Sequence, residues 1–405
     1  MDQADNAAEP AGQSRSQPVQ ALPATSDLVI LGGGIMGLWA AVLAERAGID
    51  TVLVDRGSLG QGASGGPLGA LMPHTPDRWS DKKQFQFDAL ISLEVEVAAI
   101  EAATGLSCGY RRSGRLIPLP KPHLREIALR HHEEASRNWQ QPGLPGGAAF
   151  RWDLLEKPAV DGWVDPAFAE AGVVHDTLAG RVSPRRLVAA LSAFLRAGRH
   201  VRIIDGLEAR LIDPQAGRVT LSDGQALSFG HCIIAAGHQS FPLIDALSAP
   251  LPRSVGQPVK GQAALLSAHA DPALPLIYLN GLYVIAHEDG NVAVGSTSEE
   301  EFSDAQGTDE KLDDLIARAR ALVPMLAEAP VVERWAGLRP KAVGRDPMVG
   351  AHPDHHRVVA LTGGFKVSFG LAHVLAAGAL SAIAGRSTGL PEAFSLHHHL
   401  QVASR

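Results

Sequence analysis

The amino-acid sequence predicts an α/β protein, α+β in its two-domain construction, with a helix-covered parallel sheet interleaved with an antiparallel sheet. Three stretches predict it: "DLVILGGGIMGLWAAVLAERAGIDTVLVDR" at 27–56, the continuously apolar "CIIA" at 232–235, and "LYVIAHEDGNVAVGST" at 282–297. The first reads as strand, glycine turn, helix and strand. The second suits a central parallel strand buried on both faces. The third alternates apolar and polar positions and turns at Asp289-Gly290, a preferred hairpin dipeptide.

Taken in order, residues 1–26 are rich in Ala, Pro, Gln and Ser, have no apolar periodicity, and predict a disordered leader. One arginine and no apolar core of secretory length argue against a signal peptide. Leu28–Leu31 is a buried strand, followed by Gly32, Gly34 and Gly37 in G-x-G-x-x-G spacing. The first glycine allows a tight turn, the second lets a pyrophosphate approach the backbone, and the third lets helix pack on strand. The helix from Ile35 and Met36 to Ala47 points its amino-terminal N–H groups at the phosphates, and Gly48 stops it. Thr51–Val54 is the second strand, and Asp55 ends it with a carboxylate for ribose hydroxyls. Together these define a Rossmann-type dinucleotide site. Asp55 disfavours a ribose phosphate, although Arg56 is adjacent; NAD and FAD both remain open on this motif.

The totals bound the rest. A chain of 405 residues, 45% apolar and 20% charged, has room for two domains. A net charge of −7 without a basic run speaks against nucleic acid. Cys108 and Cys232 are the only cysteines, so neither a disulfide framework nor a metal site is expected, and a reducing cytoplasm is the simplest location. Leu371–Gly385 is apolar but broken by His373, Gly378 and Ser381, which reads as a buried helix and not a membrane span.

The loop "GQGASGGPLGALMPH" at 60–74 resembles the one that follows the second strand in the D-amino-acid oxidase and glycine oxidase superfamily. Later segments resemble the same superfamily in the same order, so the resemblance covers most of 27–389. It implies FAD, with Ala63, Ser64 and Leu71 beside it. "RVSPRRLVAALSAFLRAGRHVRI" resembles the helix and strand before an adenine contact, at Ala209. "HCIIAAGHQS" resembles the turn re-entering the nucleotide site, at Ala236 and Gly237. "WAGLRPKAVGRDPMVG" and "LTGGFKVSFGLAHVLAAGAL" resemble the carboxy-terminal flavin and substrate motifs, which adds Gly364, Phe365 and Lys366. The expected division is FAD-binding at 27–80, 175–250 and 335–390, substrate-binding at 81–174 and 251–334, and a tail at 391–405.

By the same resemblance, Arg339 in "WAGLRP" pairs the substrate carboxylate, and a guanidinium offers the two parallel donors this requires. Lys366 in "GGFKVSFG" resembles the G-F-K-x-S lysine of sarcosine and N-methyltryptophan oxidases. Arg339 and Lys366 together clamp one carboxylate or receive a substrate with two acidic groups; alternatively the lysine pairs with a helix end. Tyr283 matches a hairpin tyrosine that orients substrate. His74 and His287 are further candidates to face the cleft.

The resemblance implies hydride transfer from the amino acid Cα to flavin N5, leaving an imine that water hydrolyses. The position of the flavin-linking cysteine of sarcosine oxidases is Gly337, so non-covalent FAD is expected; that of their oxygen-activating lysine is Ala293. Val343-Gly344-Arg345 also departs from the usual P-D-G. The function implied is oxidation of a small amino acid or N-substituted amino acid. Its alternatives are an acceptor-linked dehydrogenase subunit, an oxidase of a carboxymethylaminomethyl group on transfer RNA, and a non-enzymatic redox sensor. The partners implied are a small amino-acid or amine substrate and O2 or an electron-acceptor protein. Homo- or hetero-oligomerisation is open. "GYRRSGRLIPLPKPHLREIALRHHEEASRNW" starts strand-like and runs into a charged helix, and the basic residues of the stretch are expected to form a solvated face.

Overall fold

The computed structural model describes residues 23–140 and 150–405. Most of the expected leader, 1–22, lies outside the described residues, and its last residues do not extend it. The first strand begins at Thr25, and the Ser26 hydroxyl bonds the Leu28 and Asp50 carbonyls at 3.0 and 2.9 Å.

Eight strands form the first sheet. Its main path runs Met348–His352, His355–Thr362, Ala226–Ile234, Thr25–Leu31, Thr51–Asp55 and Val201–Asp205. Four of the five pairings on this path are parallel, all but Met348–His352 with His355–Thr362. Val29, Ile30, Cys232, Ile233 and Val359 are buried there, as strands covered on both faces require. One face packs the helices Ile35–Arg46, Asp81–Thr104, Pro184–Ala197 and Ser368–Ile383 in a single core. The other face carries Phe241, Ile244, Leu396 and Ala403.

The second sheet also has eight strands, in the order Val331–Ala342, Gly256–Ser267, Asn291–Gly295, Leu282–Ala286, Leu276–Leu279, Arg115–Pro118, Val173–Asp176 and Trp152–Leu155. Every pairing is antiparallel except Leu276–Leu279 with Arg115–Pro118. Leu312, Leu315, Ile316 and Ala319 of the helix Glu310–Leu322 cover one face. The expected hairpin forms, with Tyr283 paired to Gly295.

Several boundaries move, each because a long-range partner takes up a segment. The expected start of FAD-binding sequence at 335 falls inside Val331–Ala342, whose register against Gly256–Ser267 keeps it in the second sheet. The changeover to the first sheet comes between Ala342 and Met348. The helix Asp81–Thr104, expected with the substrate layer, buries Phe87, Leu90, Leu93 and Val97 in the core of the parallel sheet. Residues 391–405 are not a loose tail. Leu396–Ala403 is a helix capped by Ser395, and its buried His399 reaches the Pro347 carbonyl at 3.0 Å. In the basic stretch, Arg115 is not solvated either: it is 4% exposed and ion-paired to Asp176 at 2.5 Å.

Candidate active site

The two sheets meet around a cavity of about 1090 Å³, just above the roughly 300–1,000 Å³ usual for ligand pockets. One end is built on the first strand and helix. Gly32 turns the chain with φ +107, and a side chain there would overlap the Ala235 backbone. Gly37 presses against the Gly32 carbonyl; it packs helix on strand and is absent from the cavity wall. Gly34, Ile35 and Met36 do line the cavity at the helix start, where first-turn N–H groups have no intrahelical partner. Ile35 N–H donates to Ser64 Oγ at 3.0 Å, which leaves the hydroxyl hydrogen free for an anion.

Asp55 has a second task besides facing the cavity. Its carboxylate accepts the Gly33 and Gly57 N–H groups at 2.6 and 2.8 Å, tying glycine turn to strand end. Arg56, Ala63, Leu71, Ala209, Ala236 and Gly237 line the same cavity. So do Gly364, Phe365 and Lys366 at the start of the helix Ser368–Ile383. Apart from Gly37 and His287, the residues expected at the cofactor or substrate are thus drawn from distant segments into one wall.

The other end carries Arg339, Tyr283, Ser296, Trp335 and His74. Arg339 donates from Nη1 to Ser296 Oγ at 2.8 Å and from Nη2 to the Thr297 and Lys260 carbonyls at 2.5 and 3.3 Å. Its Nε is buried with no hydrogen-bond partner among the described residues. Burial lowers the guanidinium to about 10, against the opposing influence of Tyr283 and Glu299, so it stays cationic across the neutral range. Burial also raises the Tyr283 phenol and lowers the His74 imidazole. His287 does not face the cleft; its Nε2 lies 2.8 Å from the Pro67 carbonyl.

Sequence reasoning did not single out what braces Arg339. Gly261, opposite Gly337 on the neighbouring strand, lies beneath the guanidinium, where a Cβ would overlap it. Thr297 and Glu299, with the fully buried Gln262, anchor the loop that supplies Ser296: Gln262 Nε2 donates to Glu299 at 2.9 Å and to Asp309 at 2.6 Å. A buried glutamine beside a glycine, in "KGQ", is too short a signal to read in advance. The indole of Trp335 covers Gly337, so the position matching a flavin-linking cysteine has no room for a side chain. Ala293 packs with Ala179, Leu276 and Ile285 behind the cavity-lining Leu68, Ala70 and Met72, and is not itself in the wall.

A dinucleotide cradle opening onto a chamber with a buried guanidinium defines a two-sheet flavin-type oxidoreductase. A family model described as FAD dependent oxidoreductase matches residues 27–378, and the chain belongs to that family. It is similar to the glycine oxidase of Pseudomonas putida, 29% identical over 342 residues, 82% of this chain and 87% of that one. The glycine oxidase of Pseudomonas aeruginosa is 28% identical over 355 residues, 84% of this chain and 89% of the other. The crystal structure of glycine oxidase from Geobacillus kaustophilus superposes with a TM-score of 0.80, covering 92% of this chain and 99% of that one at 22% identity. FAD is the cofactor, and the glycine cradle, the helix start and the cavity volume fit it. Among the described residues no helix is long and apolar enough to cross a membrane.

Proposed function

We propose that this chain oxidises the C–N bond of a small amino acid or N-substituted amino acid, with Arg339 holding the substrate carboxylate. The observation that carries this is the buried guanidinium on the cavity wall, braced by Ser296 Oγ on Nη1 and by the Thr297 carbonyl on Nη2, with the second Nη1 hydrogen unmatched among the described residues. A carboxylate there meets a charge-assisted donor in a site removed from water. Similarity to glycine oxidases supports the same reading.

When bound, FAD supplies a two-electron acceptor of hydride. The protein supplies placement. Arg339 fixes the carboxylate, and the Tyr283 hydroxyl orients the rest of the substrate. Together they aim its Cα–H toward the cofactor end of the cavity. Among the described residues, the only carboxylates in the wall are Asp55 and Glu208, at the nucleotide end. With Arg339 and Lys366 in the wall an ammonium is disfavoured, so the amine reacts neutral; its lone pair forms an iminium as hydride leaves, and water converts this to a 2-oxo acid and protonated ammonia or amine.

The test is anaerobic mixing of the holoprotein with glycine, sarcosine and D- and L-amino acids while flavin absorbance is followed. Bleaching is expected. Recovery in air with peroxide identifies an oxidase, and persistent bleaching identifies a dehydrogenase with a separate acceptor. Failure of every amine to bleach the flavin overturns the reading.

A further inference from the structure

We infer that the substrate end of the cavity seats two carboxylates at once, one on Arg339 and one on Lys366, so that the substrate is an amine dicarboxylate. This rests on the amine-oxidising reading above and narrows it.

The geometry is a pair of cations on one ring. The Arg339 Cζ lies 5.4 Å, and the Lys366 Nζ 5.5 Å, from the centroid of Phe365. Phe365 holds the left-handed φ of +44, costly for an aromatic residue, and its N–H donates to the Pro340 carbonyl at 3.2 Å. That bond fastens the Phe365–Lys366 turn to the strand that carries Arg339.

Among the described residues, no carboxylate on the wall stands beside these two charges. Asp55 and Glu208 lie at the nucleotide end, where the Leu207 N–H donates to the Asp55 carbonyl at 3.0 Å. Behind Arg339, the acids are matched by lysines: Glu299 by Lys311 at 2.9 Å, and Asp309 by Lys260 at 3.9 Å. Lys366 has no ion-pair partner among the described residues. It also precedes the amino-terminal end of Ser368–Ile383, where the helix dipole disfavours a cation. The start of this helix therefore gives the lysine no favourable helix end to pair with. Two like charges held together without an acid are relieved fully only by a dianion; a single carboxylate leaves one of them unmatched. Burial and the neighbouring Arg339 both lower the Lys366 ammonium, in keeping with this.

The test is calorimetry on the holoprotein with unreactive acids: acetate against malonate, succinate and glutarate. The best diacid should bind about tenfold or more tighter than acetate, a difference of about 1.4 kcal/mol. Lys366→Met should bring that ratio close to one, and Lys366→Arg should keep it. Thermal melting of each variant verifies folding. A ratio near one in the unaltered protein, or a ratio unchanged in Lys366→Met, overturns the inference and leaves both cations on one carboxylate. Flavin bleaching by iminodiacetate and by both enantiomers of aspartate then separates a second carboxylate on the nitrogen side from one on the carbon side; either supports the inference. Bleaching by glycine or sarcosine without a diacid preference removes the second seat and keeps amine oxidation. Diacid preference without bleaching by any amine removes amine oxidation and keeps the paired seats.

Discussion

Arg339 gathers in one side chain what the site asks of the sequence: a permanent cation, buried, with part of its donor set occupied by protein and part left over. Replacing it with leucine should lower kcat/KM for carboxylate substrates by about a hundredfold or more, the usual loss when one member of a buried charged pair is removed. FAD content, read from absorbance, should not change. Gly261 tests the brace: in Gly261→Ala the new methyl displaces the guanidinium, and KM should rise about tenfold with the flavin spectrum intact. At the nucleotide end, Ser64→Ala removes the acceptor of the Ile35 N–H and a hydroxyl on the cavity wall. The FAD dissociation constant should rise about tenfold, in line with loss of a hydrogen bond to a charged group, measured by fluorescence on titration of the apoprotein. Unchanged affinity would remove Ser64 from the cradle.

At the scale of elements, the helices beneath the parallel sheet interlock through His373. Its Nε2 lies 2.9 Å from Ser92 Oγ on the helix Asp81–Thr104, and its ring lies 5.9 Å from Trp39 on the first helix. Burial lowers this imidazole to about 4, with Glu96 opposing weakly, so the folded protein holds it neutral. A histidine with a depressed folded pKa contributes stability that is complete above its ordinary value, about 6.5, and is lost as pH falls from there toward 4. Denaturant unfolding of the holoprotein should therefore show a decline across that window, and His373→Gln should flatten it. The apolar helix was legible from Leu371–Gly385, and its reading as buried holds for Ser368–Ile383. The role of the histidine was not, because its partner stands 281 positions away.

The cavity couples the two sheets of the whole molecule, since its wall takes residues from both and from the loops between them. FAD binding should then stabilise the global fold and not one layer alone. At FAD concentrations a thousandfold above the dissociation constant the gain is about 4 kcal/mol. Differential scanning calorimetry should show a single transition that moves up by several degrees on adding FAD to the apoprotein. Two separate transitions, only one of them moving, would show that the sheets unfold independently.

By itself the sequence determined the nucleotide cradle, the hairpin and the buried helix, because each is written in contiguous residues whose spacing selects one backbone geometry. The strand Thr25–Leu31, the glycine turn and the helix Ile35–Arg46 follow from steric rules acting over a few residues. Tertiary structure alone decided where a segment belongs once two sheets compete for it. It placed Val331–Ala342 in the antiparallel sheet through its register with Gly256–Ser267, docked Leu396–Ala403 as a helix, and drew Arg115 inward to Asp176. It also brought Gly261 beneath Arg339 and Lys366 to the same ring. These outcomes depend on contacts between residues far apart in the chain, which pack against whatever surface the completed sheets present. No local pattern encodes that surface before both sheets have formed.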